Sequence, residues 1–422
     1  MNTLRSATAR PLDLEGDRLT RWLKPRVLAQ LDRLEGGSIT LIDGHKRHQL
    51  GMGGPLRATL VIRHGRAWKR LALGGTVGAA EAYMDGDWDA DDPVALVRLF
   101  AANLERVNGE IENGTARLGR WLLGALYRLQ RNSLQGSRRN IAAHYDIGNA
   151  LFATFLDRDH HMYSSAVFPH PEASLEEAST HKLDLMLEKL DVQPHHHLLE
   201  IGTGWGGLAI HAAKTRGCRV TTTTISAEQH AYTARRIDEE GLGERITLLQ
   251  QDYRELSGQY DRLISVEMIE AVGHQYLNTY LTTLDRLLTD DGQAMLQAIT
   301  IRDQRYEAAK REMDFIKRYI FPGGFLPSHR AILDGVTRHT SLNVIDLDEI
   351  GQHYARTLRE WRHRFEARLE TVRRLGYDEH FIRMWRYYLC YCEGGFMERT
   401  IGTCQLLLAK PGARPSPLTG AA

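Results

Sequence analysis

The chain has 422 residues, more than one ordinary domain holds, so two are expected. Lys and Arg number 54 against 53 Asp and Glu, and this formal charge of +1 argues against a whole-protein electrostatic grip on nucleic acid. No run approaches the roughly 18 apolar residues of a membrane-spanning helix and 1–10 lacks an apolar signal core, so a cytoplasmic protein is expected.

In chain order, a small α+β domain over 1–110 comes first. Its legible parts are a short helix around 25–35, strand-like alternation at 38–42 and 58–62, a further segment at 78–88 and a helix from Pro93. A linker over 111–139 carries 117–131, apolar with Arg at its edges. Such a basic amphipathic helix fits two settings: an anionic membrane surface, or a place between domains with its arginines snorkelling to water. Strands and helices then alternate over 140–411, and the end of the chain, 412–422, is expected to be disordered.

The most informative segment is 197–207, which reads as a buried strand entering a glycine-rich turn and then a helix. Gly202 and Gly204 let the backbone turn tightly and approach a ligand where a Cβ would collide, and Glu200 stands at the strand's carboxyl end. A dinucleotide fingerprint wants G-x-G-x-x-G; here the last glycine arrives early, as G-x-G-x-G-G, which suits a small adenosyl ligand better than a pyrophosphate. An acid before G-x-G is wrong for phosphate and right for a cation or a ribose hydroxyl, and S-adenosylmethionine offers both. Taken alone, the segment also reads as a tight connection with no ligand.

The next segments favour the ligand. Residues 218–225 are β-branched and apolar like a second buried strand, and Ser226 opens a helix as its cap. Further strands at 245–249, 260–266, 293–299, 343–347 and 403–409, with helices between most of them, give the parallel α/β pattern. The fold expected is a class I S-adenosylmethionine-dependent methyltransferase, a Rossmann-like seven-stranded sheet with helical cap insertions. No metal site is expected: His195, His196 and His197 lie in an extended run and point to alternating sides. Cys218, Cys390, Cys392 and Cys404 lack ligand spacing and read as reduced thiols.

Several separated motifs carry a family resemblance. They are Ala143-His144-Tyr145-Asp146 with Asn149, Met162-Tyr163-Ser164-Ser165, the 199–207 corner, and Thr224-Ile225-Ser226 with Gln229. Residues 267–273, Tyr319-Ile320-Phe321-Pro322-Gly323-Gly324, and 354–358 with Trp361 complete the set. In this order the chain over 140–410 resembles the cyclopropane-fatty-acyl-phospholipid synthases and the mycolic acid cyclopropane synthases, and 81–88 resembles the N-terminal domain of the long bacterial members.

The resemblance implies S-adenosylmethionine contacts from Tyr163, Ser164, Glu200, Gly202, Gly204, Thr224, Ile225 and Gln229. Asp252 and Tyr253 come after the third strand, where the family places an adenine-flanking aromatic; Tyr253 stacks on the base or is an ordinary half-buried tyrosine. The implied reaction moves a methyl group to the cis double bond of an unsaturated acyl chain in membrane phospholipid, which creates a carbocation in an apolar pocket. Tyr145, Tyr163, Trp205, Tyr319, Phe321, Tyr354 and Tyr388 are the pool of aromatic faces for it. A bound bicarbonate then takes a proton from the new methyl carbon to close the ring, and its contacts map to Ser165, Glu270, Gln297, Ile299 and Tyr354. The resemblance also implies peripheral association with the inner face of the membrane and a homodimer.

Departures from the family pattern fall at the anion site. Common members have Cys at Ser165 and His at Gln297, and a glutamine is permanently neutral and cannot shuttle a proton. Glu267 stands at the usual Gly and Ala271 at the usual His. Two carboxylates three residues apart repel, which raises one pKa toward the range of a useful base; alternatively Glu267 only supports the site or binds S-adenosylmethionine. Three functions stay open: the ring-forming enzyme, an enzyme that makes the same transfer but ends in a methylene- or methyl-branched chain, and a non-catalytic lipid-binding relative. The intact glycines, Gln229, Glu270 and Tyr354 argue against the third, while Gln297 and Ser165 keep the second alive.

Overall fold

The computed structural model describes residues 17–104 and 147–414, which divide into two compact units: 17–104 with 377–398, and 147–376 with 399–414. The linker segment 117–131 and the 143–146 motif with Tyr145 lie outside the described residues.

The first unit is built on a sheet of β1 (Gly37–Asp43), β2 (Lys46–Gly53), β3 (Leu56–Ile62) and β4 (Trp88–Ala90), in the order β2-β1-β3-β4. Its first helix, Arg18–Leu31, starts well before Pro25 because the Asp17 side chain accepts the Thr20 N–H and caps it. β2 leaves no signal in the sequence because most of its residues face solvent, so no apolar alternation marks it. The segment at 78–88 is the helix Gly75–Met84 running on into β4.

The helix Glu379–Met397 also belongs to this unit, although it lies inside the 140–411 span expected for catalysis. Arg383 bonds the Trp88 carbonyl at 2.9 Å and Asp89 at 2.8 Å. Gly394 packs so closely that a Cβ there would meet Val97 Cγ1 at 2.7 Å. A helix that returns to an earlier domain leaves no mark on a sequence read as continuous blocks.

The second unit holds all seven strands read from the sequence: β5 (His197–Ile201), β6 (Arg219–Thr223), β7 (Ile246–Leu249), β8 (Tyr260–Val266), β9 (Leu288–Ile301), β10 (Asn343–Glu349) and β11 (Ile401–Ala409). Their order is β10-β11-β9-β8-β5-β6-β7, with β11 antiparallel to its two neighbours and the other pairs parallel. This is the class I methyltransferase arrangement. Alternate residues feed two cores: Leu198, Ile264, Met295 and Leu407 pack on one face, Leu199, Leu263, Leu296 and Leu408 on the other. The strand order runs outward in both directions from β5, so a crevice opens at its carboxyl end, where such sheets hold their ligands. Among the tail residues, Lys410 bonds the Gly292 carbonyl at 2.9 Å and Ala413 is buried, so 411–414 pack against the sheet. Among the described residues no helix is long and apolar enough to cross a membrane.

Candidate active site

The turn after β5 is held open by glycine geometry. Gly202, Gly204 and Gly206 have φ of +103°, +54° and +82°, a region in which L side chains are strained. A Cβ on Gly202 would strike Met268 Cγ at 2.6 Å, whereas one on Gly204 would meet nothing within 4 Å, so Gly204 borders open space. The Gly202 and Thr203 N–H groups bond the Thr223 carbonyl at 3.1 and 3.0 Å, fixing the turn to β6. Glu200 is buried; Thr222 donates to it at 2.6 Å, yet burial pushes its pKa up to about 8, so a ligand cation would draw it into its charged form. Beyond β6, Thr224 donates to Gln229 Oε1 at 2.9 Å, with Ile225 between Thr224 and the capping Ser226. Asp252 is bound by Arg254 through Nε at 2.8 Å and Nη2 at 2.7 Å. Tyr253 packs edge-on against Tyr280 at 5.4 Å in the core, with its hydroxyl unpartnered among the described residues.

The loop carrying Tyr163, Ser164 and Ser165 is pinned at both ends. Before it, the buried Asp157 carboxylate accepts the N–H groups of His160 at 2.7 Å, His161 at 3.2 Å and Met162 at 2.7 Å. After it, the Ala166 N–H bonds Thr357 Oγ1 at 3.1 Å. From below, the fully buried Lys182 donates to Ser164 Oγ at 2.8 Å. Lys182 rides on the helix Leu175–Lys189, which a Ser174–Glu177 capping box starts.

At the end of β8 two carboxyl groups meet the rest of the candidate residues. Glu267 Oε1 accepts the Ser165 N–H at 2.9 Å and Gln297 Nε2 at 2.8 Å, and Glu267 Oε2 accepts the Tyr354 hydroxyl at 2.8 Å. Gln405 Nε2 donates to Gln297 Oε1 at 3.1 Å, which fixes the amide with its N–H toward Glu267. Glu270 Oε1 takes the Ile299 N–H, and its buried Oε2 has no partner among the described residues. Ser165 spends its own hydroxyl on the Ala166 carbonyl at 3.0 Å.

This geometry divides the pair. Burial raises both pKa values; the three donors and the Lys182 charge pull Glu267 back down, while the neighbouring Glu267 charge pushes Glu270 up further. Both stay above the ordinary carboxyl value, Glu270 further than Glu267, and the three donors are arranged to suit a negative charge on Glu267. Of the four lone-pair positions on the Glu267 carboxylate the described residues fill three, which leaves one on Oε2 to receive a proton.

The aromatic pool separates as well. Tyr163 lies 5.0 Å from Phe152, 5.3 Å from Trp361 and 6.4 Å from Phe321, and Trp205 joins the group through Phe152 at 4.9 Å. Tyr354 meets Trp361 edge-on at 6.0 Å. Tyr319 contacts Phe315 at 5.8 Å, and Tyr388 belongs to the returning helix of the first unit, against Trp385. Lys182, Asp157, Gln405 and Phe152 are the site residues that no sequence motif singles out. Lys182 alone leaves a signal, a charge on an otherwise apolar helical stripe with Ala178, Leu183 and Met186.

Residues 132–406 match the mycolic acid cyclopropane synthetase family over more than half of the chain. The chain belongs to that family. It is 39% identical to the tuberculostearic acid methyltransferase UfaA1 of Mycobacterium tuberculosis, across 82% of this chain and 81% of that one. Its identity to the cyclopropane-fatty-acyl-phospholipid synthase of Escherichia coli K12 is 34%, across 86% and 91%. Among solved structures, the M. tuberculosis cyclopropane synthase MmaA2 superposes with a TM-score of 0.61 at 28% identity, covering 65% of this chain and 98% of that one. The mycolic acid cyclopropane synthase CmaA1, complexed with SAH and CTAB, gives 0.61 at 27% over the same shares. By family and fold, then, the chain is an S-adenosylmethionine-dependent methyltransferase.

The two small molecules that the family implies fare differently here. The open corner at Gly204 and the acid at Glu200 fit S-adenosylmethionine. Bicarbonate does not fit: Ser165, Gln297 and Tyr354 already donate to Glu267, Ile299 donates to Glu270, and a further anion would lie beside a charged carboxylate.

Proposed function

We propose that the protein methylates the cis double bond of unsaturated acyl chains in membrane phospholipid, that Glu267 removes the proton that ends the reaction, and that the product is a methylene- or methyl-branched chain. The observation that carries this reading is the seat of the Glu267 carboxylate, which occupies the donors that the family resemblance assigns to bicarbonate.

When bound, S-adenosylmethionine supplies an electrophilic methyl group on a sulfonium. One alkene carbon would take that methyl as the double bond's electron pair forms the new bond and the methyl–sulfur bond breaks, its electrons staying on the sulfur of S-adenosylhomocysteine, and positive charge would develop on the other carbon. Tyr163, Trp205 and Phe321 offer ring faces to it, each worth about 0.5–2 kcal/mol. A hydride shift from the methylated carbon moves the charge to the branch point. Loss of a proton from the methyl then gives a methylene branch, and loss from the next chain carbon gives a methyl-branched alkene. The vacant lone pair on Glu267 Oε2 receives that proton, while Tyr354 and Gln297 hold the carboxylate still. Resemblance to UfaA1, a tuberculostearic acid methyltransferase by name, supports the branched outcome. The lipid substrate further implies that the enzyme works peripherally at the membrane surface.

Turnover on unsaturated phospholipid vesicles, measured with bicarbonate removed and then restored, tests the reading. Equal rates are expected. A rate that collapses on depletion and returns with bicarbonate would overturn it.

A further inference from the structure

Lys182 is buried completely, and among the described residues its ammonium makes one hydrogen bond, to Ser164 Oγ at 2.8 Å. An ammonium has three N–H donors and accepts nothing, so two of them find no acceptor among the described residues. Burial on these terms is costly for a charge. Because Ser164 Oγ accepts from Lys182, its own proton is left to donate outward, and the adjacent cation polarises that hydroxyl into a stronger donor. No protein group takes that proton among the described residues.

The surrounding charge says what is missing. Around Lys182 stand Glu267 after β8, Asp157 in the loop and Glu200 on β5. Such acids favour the sulfonium and amino group of S-adenosylmethionine and repel its carboxylate. A ligand carboxylate enters this region only where a fixed cation and a directed hydroxyl receive it. The Lys182–Ser164 pair is both.

We propose that Lys182 is a positioning residue for S-adenosylmethionine: its ammonium directs the Ser164 hydroxyl onto the methionine carboxylate and supplies the positive charge that this carboxylate requires among buried acids. The proposal rests on the S-adenosylmethionine reading of the site. It also accounts for a lysine on the apolar stripe of a core helix, where a leucine or methionine would pack without an electrostatic cost.

The test compares S-adenosylmethionine with its decarboxylated form, which keeps the sulfonium and the amine, by calorimetry on the full chain. Binding of both by the wild type establishes the cofactor reading independently, and binding of neither would defeat that reading and this proposal together. Lys182→Met is expected to weaken S-adenosylmethionine about tenfold or more while leaving the decarboxylated form equal or tighter, since one nearby positive charge is gone. Ser164→Ala removes the directed hydroxyl and keeps the lysine, although the ammonium loses its hydrogen-bond partner, and it serves if the lysine variant does not fold. It is expected to show the same selectivity to a smaller degree. Equal losses for the two ligands, or no loss for S-adenosylmethionine in either variant, would overturn the proposal.

Discussion

Glu267 has φ of +50°, one of four non-glycine residues in the left-handed region among those described. That backbone costs a residue with a Cβ about 1 kcal/mol or more, and strain of this kind persists where the surroundings over-determine it. Here three donors from separate segments converge on the side chain. Glu267→Gln keeps the shape and removes the charge, so turnover should fall by about 10²-fold or more, well beyond any loss of S-adenosylmethionine affinity. Turnover kinetics beside calorimetry check this, and wild-type turnover in the variant would make Glu267 a spectator. Glu267→Gly suits the backbone and strips three donors of their acceptor. Its activity should be low in bicarbonate-depleted buffer and rise when bicarbonate is added, because the vacated donors can then hold the anion. An inactive variant that ignores bicarbonate would show that these donors do not make an anion site. At the opposite side of the cofactor corner, Gly204→Val forces a β-branched residue to φ near +54° and fills open space, so binding of S-adenosylhomocysteine should be lost while the chain still folds.

Between elements, the site depends on how the helix Leu175–Lys189, which carries Lys182, meets the helix Gly351–Ala367, which carries Tyr354. Arg364 ties them through a two-pronged bond to Glu176, at 2.8 and 2.7 Å. That bond holds the Glu176 pKa down at about 2. A carboxyl whose pKa is depressed by folding stabilises the fold above its ordinary value of 4.5, and the contribution disappears as pH falls from there toward about 2. Arg364→Met should therefore lower stability at pH 7 by about 1 kcal/mol, a value discounted for partial exposure, and the gap from wild type should narrow across that acid window. Denaturation at pH 7 and pH 3 measures it; a constant gap would mean that the pair acts through packing alone. In the first unit the matching dependence is the returning helix, where Gly394→Leu would drive a side chain into Val97. That change should loosen the first unit, detected as faster proteolysis within 17–104, and leave S-adenosylhomocysteine binding intact.

Across the whole molecule, the legible features are those that one-dimensional pattern carries. Seven strands are marked by apolar or β-branched runs, and the glycine corner by residue types that only a tight turn requires. Departures at Ser165, Gln297 and Glu267 are also legible, but not their meaning. Glu267 and Ser165 are 102 positions apart, Glu267 and Tyr354 are 87 apart, and nothing in the local sequence shows that these groups bond each other in place of an external anion. Lys182 leaves only the signal of a charge on an apolar stripe, and that is easily passed over because a single lysine on a helix ordinarily faces water. The helix Glu379–Met397 reads as part of the catalytic domain because its apolar stripe is equally suited to either core.

An enzyme that carries its own base and ends in a branch must leave that outcome in its product. The decisive measurement is proton NMR of the lipid that the wild type forms from unsaturated phospholipid in bicarbonate-free buffer. Resonances of a methylene branch or a methyl-branched alkene are expected, with no cyclopropane ring protons; a product showing only ring protons, formed only when bicarbonate is restored, would contradict both the base and the branch.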